Sequence, residues 1–297
     1  MNKWLKLAVG TIVLLVILAF VALHKIAPYA IISPFRVDKT ASPADYGLVS
    51  ESLSIYGADS VLLKGYWVKS DLDTAKGIII SLHGIGSCKE HGLPLAKNLA
   101  AQGIETIVFD GRGHGESGGQ YNTYGFYEKQ DVFSIVDYVK ARNPDVKVGV
   151  WGNSLGGAIA LQALAIDPRL EFGLIESTFT DMRQIVHDYA KRLMWGIGIK
   201  PASNYALWRA GKIANFDPNE VKPIVAVQSI EQPVLIAHGD ADENISVEYG
   251  KQLFDNLKSV DKEWVVVAGG GHAGLFRTGG EAYAEKLWNF IARNLAD

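Results

Sequence analysis

The first apolar block of the chain, residues 7–23 (LAVGTIVLLVILAFVAL), carries no charge. Counted from Trp4 it gives about 30 Å of helix, the thickness of a bilayer core. Further on the pattern shortens. Residues 48–56 and 61–68 are β-rich runs separated by GADS, which predicts a hairpin. Compact apolar runs follow at 77–83, 105–110, 147–151, 172–177, 233–238 and 263–267, the signature of strands buried on both faces. Helical patterns separate them. The first is bracketed by Pro94 and Gly103, and the others fall at about 127–142, 155–166, 246–258 and 281–295. This β-α alternation predicts an α/β domain with a mostly parallel central sheet covered by helices on both faces.

The apolar block reads as an uncleaved transmembrane anchor over 1–25, followed by a Pro-containing spacer over 26–46 (Pro28, Pro34, Pro43) and one large domain over 47–297. A cleaved signal peptide fits less well. Its apolar part is usually only ~7–15 residues long, and Ala22, Ala27 and Ala30 each have a large, charged or Pro residue where a second small one is needed. Lys3 and Lys6 before the block face Lys25, Arg36 and Lys39 after it, so charge bias does not fix the orientation. A large domain outside the cytoplasm is the orientation favoured.

Composition narrows the classes further. With 48% hydrophobic and 21% charged residues the chain is an ordinary globular protein with a substantial core. A net charge of −3 without a basic run gives no footprint for nucleic acid. Cys88 is the single cysteine and the seven histidines form no H-E-x-x-H pair, so neither a disulfide, a metal nor a cofactor is expected. The oligomeric state is not encoded in any pattern.

The chemistry lies at the ends of the predicted strands. G-x-S-x-G occurs twice, at 152–156 and 115–119. A nucleophilic serine of this kind needs a strained strand-to-helix turn, with small residues two before and two after it because neighbouring backbone passes close by. Ser154 has a strand before it and a helix after it; Ser117 lies in a Gly-rich loop with no helix following. The same loop holds Gly113-x-Gly115-x-x-Gly118, but a pyrophosphate site would need the last glycine to open a helix. A serine also needs a base and an acid that fixes the base's tautomer. His272, in GGGHAG after a strand, is the candidate base. His83 and His238 read as buried histidines bonded to backbone, and His114 and His187 as polar loop or helix residues. Asp240, Asp242 and Glu243 after the 233–238 strand are acid candidates, with Glu176 a more distant one.

Taken in order, HGIGS (83–87), DGRGHGES (110–117), GNSLGG (152–157), HGDAD (238–242) and GGGH (269–272) resemble the α/β-hydrolase superfamily over about residues 48–296. The resemblance implies catalytic Ser154, Asp242 and His272, an oxyanion hole from the backbone N–H groups of Ile85 and Leu155, and a helical lid over about 179–232. It departs from relatives at Ile245-Ser246, where a Val-Pro pair is common. The implied activity is serine hydrolysis through an acyl-enzyme on Ser154, with a small-molecule acyl substrate: an ester, thioester or amide. Acyl transfer, peptidase action and a non-catalytic tethered binding module are the alternatives. Six basic residues over 180–212 against two acidic ones, and an apolar run at 193–199, give the lid a surface suited to lipid. Lipid-like esters are therefore the preferred class. Because no triad residue lies before residue 47, removal of the anchor is expected to leave hydrolysis of soluble esters intact.

Overall fold

The computed structural model describes residues 2–37 and 41–296. Among the described residues eight strands form one sheet: β1 (Ser50–Tyr56), β2 (Leu62–Val68), β3 (Gly77–Leu82), β4 (Ile104–Phe109), β5 (Val148–Asn153), β6 (Phe172–Glu176), β7 (Val234–Gly239) and β8 (Lys262–Val267). Their order is β1-β2-β4-β3-β5-β6-β7-β8. The hairpin β1–β2 is antiparallel, β2 meets β4 antiparallel, and every pairing from β4 to β8 is parallel. Such connections need crossovers, and the helices supply them. Helix α1 (Lys3–Val21) and α2 (Ala27–Ile32) precede the sheet; α3 (Leu93–Ala101), α4 (Glu128–Arg142) and α5 (Leu155–Leu164) lie between its strands. The segment between β6 and β7 holds α6 (Met182–Leu193), α7 (Lys200–Ala214) and the short α8 (Pro223–Ala226), at the position expected for a lid. Helices α9 (Val247–Asn256) and α10 (Leu275–Leu295) flank β8.

The continuous apolar runs follow from burial on both faces. On one face Ile78, Ile80 and Val150 pack with Val132 and Ile135 of α4 and Leu161 of α5. On the other, Ile79, Phe172 and Leu235 meet Leu99 of α3 and Leu287 and Phe290 of α10. Helix α10 is broken at Gly280, whose φ of 58° favours glycine, and the regular part beyond it coincides with the periodicity at 281–295.

The N-terminal segment departs from the sequence reading. Helix α1 is exposed along its whole length, and 3–32 is long and apolar enough to cross a membrane, with a mean hydropathy of 2.7 over its most apolar window. The expected spacer begins as helix, not as free chain. Pro28 has no N–H to donate to the preceding turn, and the turn at Ala22–Ile26 widens into a π-helical one before α2 resumes. Helix α2 then docks: Ile32 is fully buried among Met182, Val186, Leu207 and Phe216 of the lid region. Apolar burial explains this, since Ile31 and Ile32 continue the hydrophobic pattern past the charged Lys25. Residues 38–40 of the expected spacer lie outside the described residues.

Candidate active site

The turn from β5 into α5 shows why glycine flanks Ser154. A Cβ at Gly152 would lie 2.2 Å from Gly156 O, and one at Gly156 would lie 2.0 Å from Leu82 O. Ser154 itself has φ 54° and ψ −117°, a strained conformation for a side-chain-bearing residue that costs of order 1–3 kcal/mol. Two bonds hold it there: Ser154 N–H donates to Glu176 O (2.9 Å) and Thr178 Oγ1 donates to Ser154 O (2.7 Å). The nearly buried hydroxyl is thus presented above the carboxyl ends of the strands.

His272, in the loop after β8, places Nε2 3.0 Å from Ser154 Oγ and Nδ1 2.9 Å from Asp242 Oδ2. Asp242 lies in the loop after β7, so residues 118 and 30 positions from His272 converge on it. Burial pushes the Asp242 carboxyl up. The hydrogen bonds from His238, His272 and Ile245 N–H outweigh that and hold it well below the usual carboxylate range. His238 lies directly beneath, its Nε2 2.9 Å from Ile245 O and 3.3 Å from Asp242 Oδ2. An ionised Asp242 accepting from Nδ1–H leaves Nε2 free to accept the serine proton.

The other acids have different partners. Asp240 accepts from Gly269 N–H (2.6 Å) and so ties the acid loop to the histidine loop. Glu176 accepts from Trp151 Nε1 (3.1 Å) and from the Tyr283 hydroxyl, with burial holding its carboxyl above the usual range. Glu243 contributes its backbone oxygen to Arg192 of the lid. Ser117 is buried, donating to Asp110 O (2.5 Å) and accepting from Lys64 N–H (2.8 Å). The Gly-rich loop around it is gripped from outside: the Arg36 guanidinium donates to the carbonyls of His114, Gly115, Ser117 and Gly119.

Ile85 and Leu155 line the same cavity as Ser154, and a Cβ on Gly84 would touch Ser154 Cβ at 3.4 Å. The 84–86 loop is held by two histidines, His83 half-buried and His114 buried. His83 donates through Nδ1 to Gly84 O (2.8 Å) and accepts Gly111 N–H on Nε2 (2.9 Å). His114 donates through Nδ1 to Arg112 O (3.1 Å) and accepts Gly86 N–H on Nε2 (3.2 Å). Burial, with the neighbouring His83, pushes the His114 imidazole down to about 4, which keeps it neutral and able to accept. The sequence predicts a polar loop residue at His114, and the structure buries it instead. Its burial comes from packing against His83, ring centroids 4.8 Å apart, a long-range contact with no local signal.

Above the serine lies an apolar cavity of ≈ 470 Å³, within the roughly 300–1,000 Å³ of small-molecule sites. The lid helices form one side, through residues such as Ile185, Tyr189 and Ala206, and the N-terminal arm forms the other, through Leu23, Ala27 and Ala30. Among the described residues lining it, none is charged. The lid is fastened over the acid loop by Arg192 to Glu243 O and Asn244 Oδ1, and over α9 by the Tyr249 hydroxyl to Asp188.

A family model described as serine aminopeptidase, S33, matches residues 73–198. The Pyrococcus furiosus esterase Pf2001 superposes with a TM-score of 0.76 over 90% of this chain and 99% of the esterase, at 22% identity. The Xenopus tropicalis lysophosphatidylserine lipase ABHD12 is 29% identical over 203 residues, 64% of this chain. The chain is a serine hydrolase with the α/β-hydrolase fold. A Bacillus subtilis protein, YqkD, described as uncharacterized, matches this hydrolase more extensively, at 28% identity over 80% of this chain and 77% of its own. The part of the hydrolase that aligns spans 49% of the Xenopus lipase, about half its length.

Proposed function

We propose that this hydrolase is a membrane-anchored esterase that cleaves lipid-derived acyl esters through an acyl-enzyme on Ser154. The observation that carries this reading is the relay Asp242–His272–Ser154 opening into an uncharged apolar cavity whose far wall is the arm following the apolar helix. In the reaction His272 Nε2 takes the proton of Ser154 Oγ as the oxygen attacks the ester carbonyl. The backbone N–H groups of Leu155 and Ile85 stabilise the oxyanion, each worth ~3–4 kcal/mol. The protonated His272 gives its proton to the leaving alcohol, and water repeats the sequence on the acyl-enzyme, releasing the acid and restoring the serine. Asp242 keeps the imidazole in the required tautomer throughout.

The similarity to a lysophosphatidylserine lipase supports an ester carried on a single-chain lipid. Aminopeptidase action, suggested by the family model's description, is disfavoured, because a free amino terminus in the pocket needs a carboxylate partner and none lines this cavity among the described residues. Helix α1 serves as the anchor, with the domain held against the bilayer by α2 rather than by a loose tether.

A panel of monoacyl esters and aminoacyl amides, presented to the full-length protein in detergent, tests this reading. Esters of long-chain acids turn over fastest if it is right. Amides outperforming every ester would replace it with a peptidase.

A further inference from the structure

The arm between the apolar helix and the sheet does more than connect them. Leu23, Ala27, Ala30, Ile31, Pro34 and Phe35 all face the cavity above Ser154. Ala27 and Ala30 are three residues apart on one helical face, and their small side chains leave open the space that Ala202, Ala206 and Met194 border from the lid. The arm is also fixed in place. Tyr124 Oη donates to Ile31 O (2.9 Å), Asn122 N–H donates to Ile32 O (2.8 Å), and His24 Nδ1 lies 2.7 Å from Tyr205 Oη of the lid. With the Arg36 guanidinium on four carbonyls, the segment from residue 24 to residue 36 is bonded to the body at both ends and in the middle.

We propose that α2 is the specificity-determining wall for the acyl chain. A single-chain acyl ester places its carbonyl at Ser154 and its tail between α2 and the lid helices, with the tail's end near Leu23, where the apolar helix leaves the domain. The proposal rests on the reading of Ser154 as the nucleophile of a lipid-type esterase. It adds that the anchor's own continuation measures the substrate. The same placement gives the tail a route from the bilayer, because Leu193 and Met194 line the same cavity as Leu23 and the adjoining lid turn leaves Trp195 95% exposed. A chain cut at residue 26 loses Leu23 and the His24 bond, and opens the cavity on one side.

The test compares p-nitrophenyl butyrate with p-nitrophenyl palmitate on the full-length protein in detergent. Ala30→Trp fills the cavity from the arm while leaving every hydrogen-bonded group of the arm in place. It lowers the palmitate-to-butyrate rate ratio by at least about tenfold, as exclusion of a few methylenes at ~0.8 kcal/mol each requires. Ile31→Ala enlarges the space and shifts the palmitate-to-butyrate ratio the other way by a few-fold. Ala19→Trp, on α1 and outside the cavity, changes neither rate. An unchanged ratio in Ile31→Ala together with either an unchanged ratio or an equal loss on both esters in Ala30→Trp overturns the wall. If the parent protein shows no preference for palmitate, the lipid reading fails and the wall with it. A parental preference that survives both variants removes the wall alone.

Discussion

The two sides of the active site are built by different rules. The sheet side, with Ser154, Asp242 and His272, stands on the ends of buried strands, where backbone passes so close that Gly152 and Gly156 admit no side chain. The cavity side is assembled from helices that precede or interrupt the sheet, and alanines leave its space open. The proposed chemistry therefore sits where geometry is over-determined, and the proposed selection of substrate sits where side chains can change volume at small cost to the fold.

The sharpest way to break this division is to remove chemistry without touching the wall. Ser154→Ala lowers turnover by about 10⁶-fold on short and long esters alike, whereas Ser117→Ala leaves turnover in place. Ser117→Ala costs stability instead, ~1–3 kcal/mol for the part-buried Lys64 N–H and the buried Asp110 O that it strips of their partner. Steady-state kinetics with a urea melt on each variant separates the two effects.

The acid gives the next largest contrast. Asp242→Asn lowers kcat by about 10⁴-fold, because an amide facing Nδ1 favours the wrong imidazole tautomer. Asp240→Asn keeps an oxygen for Gly269 N–H and costs less than about tenfold. The reverse order would move the acid to Asp240.

These two aspartates also mark what the sequence could tell. The strands, the elbow at Ser154 and the loop carrying His272 were legible because short apolar runs and glycine spacing are local signals. Choosing Asp242 over Asp240 was not a matter of spacing, since both follow the same strand, and needed the superfamily resemblance. The fold separates them by the direction each side chain takes. The prolines of the arm break the apolar pattern and so predict a spacer; Pro28 instead accompanies a widened turn that lets α2 dock. The cavity wall draws on residues from Leu23 to Ile245, a grouping that only the tertiary structure brings together.

A smaller effect tests the support beneath the oxyanion loop. His114→Ala removes the acceptor of Gly86 N–H, and a loop that moves by a fraction of an ångström lowers kcat by ~10- to 100-fold with little change in KM. An equal loss carried by KM would show that His114 shapes binding and not the position of Ile85.

The smallest effect is on acid stability. Burial holds His83 and His114 below their ordinary value, His114 at about 4, so between pH 6.5 and 4 the unfolded chain binds protons that the folded one does not. Stability is complete above pH 6.5 and falls as the pH drops through this window. In His114→Asn the decline, followed by urea midpoints at pH 7 and pH 4.5, is shallower than in the parent.

The central claim is that turnover passes through a covalent acyl-enzyme on Ser154. Intact-mass measurement after treatment with an alkyl fluorophosphonate, followed by peptide mapping, tests it most directly. A single adduct on the peptide containing Ser154, absent from Ser154→Ala and slowed in Asp242→Asn, is the predicted result. A folded protein that takes no adduct, or takes it on another serine, would contradict the claim.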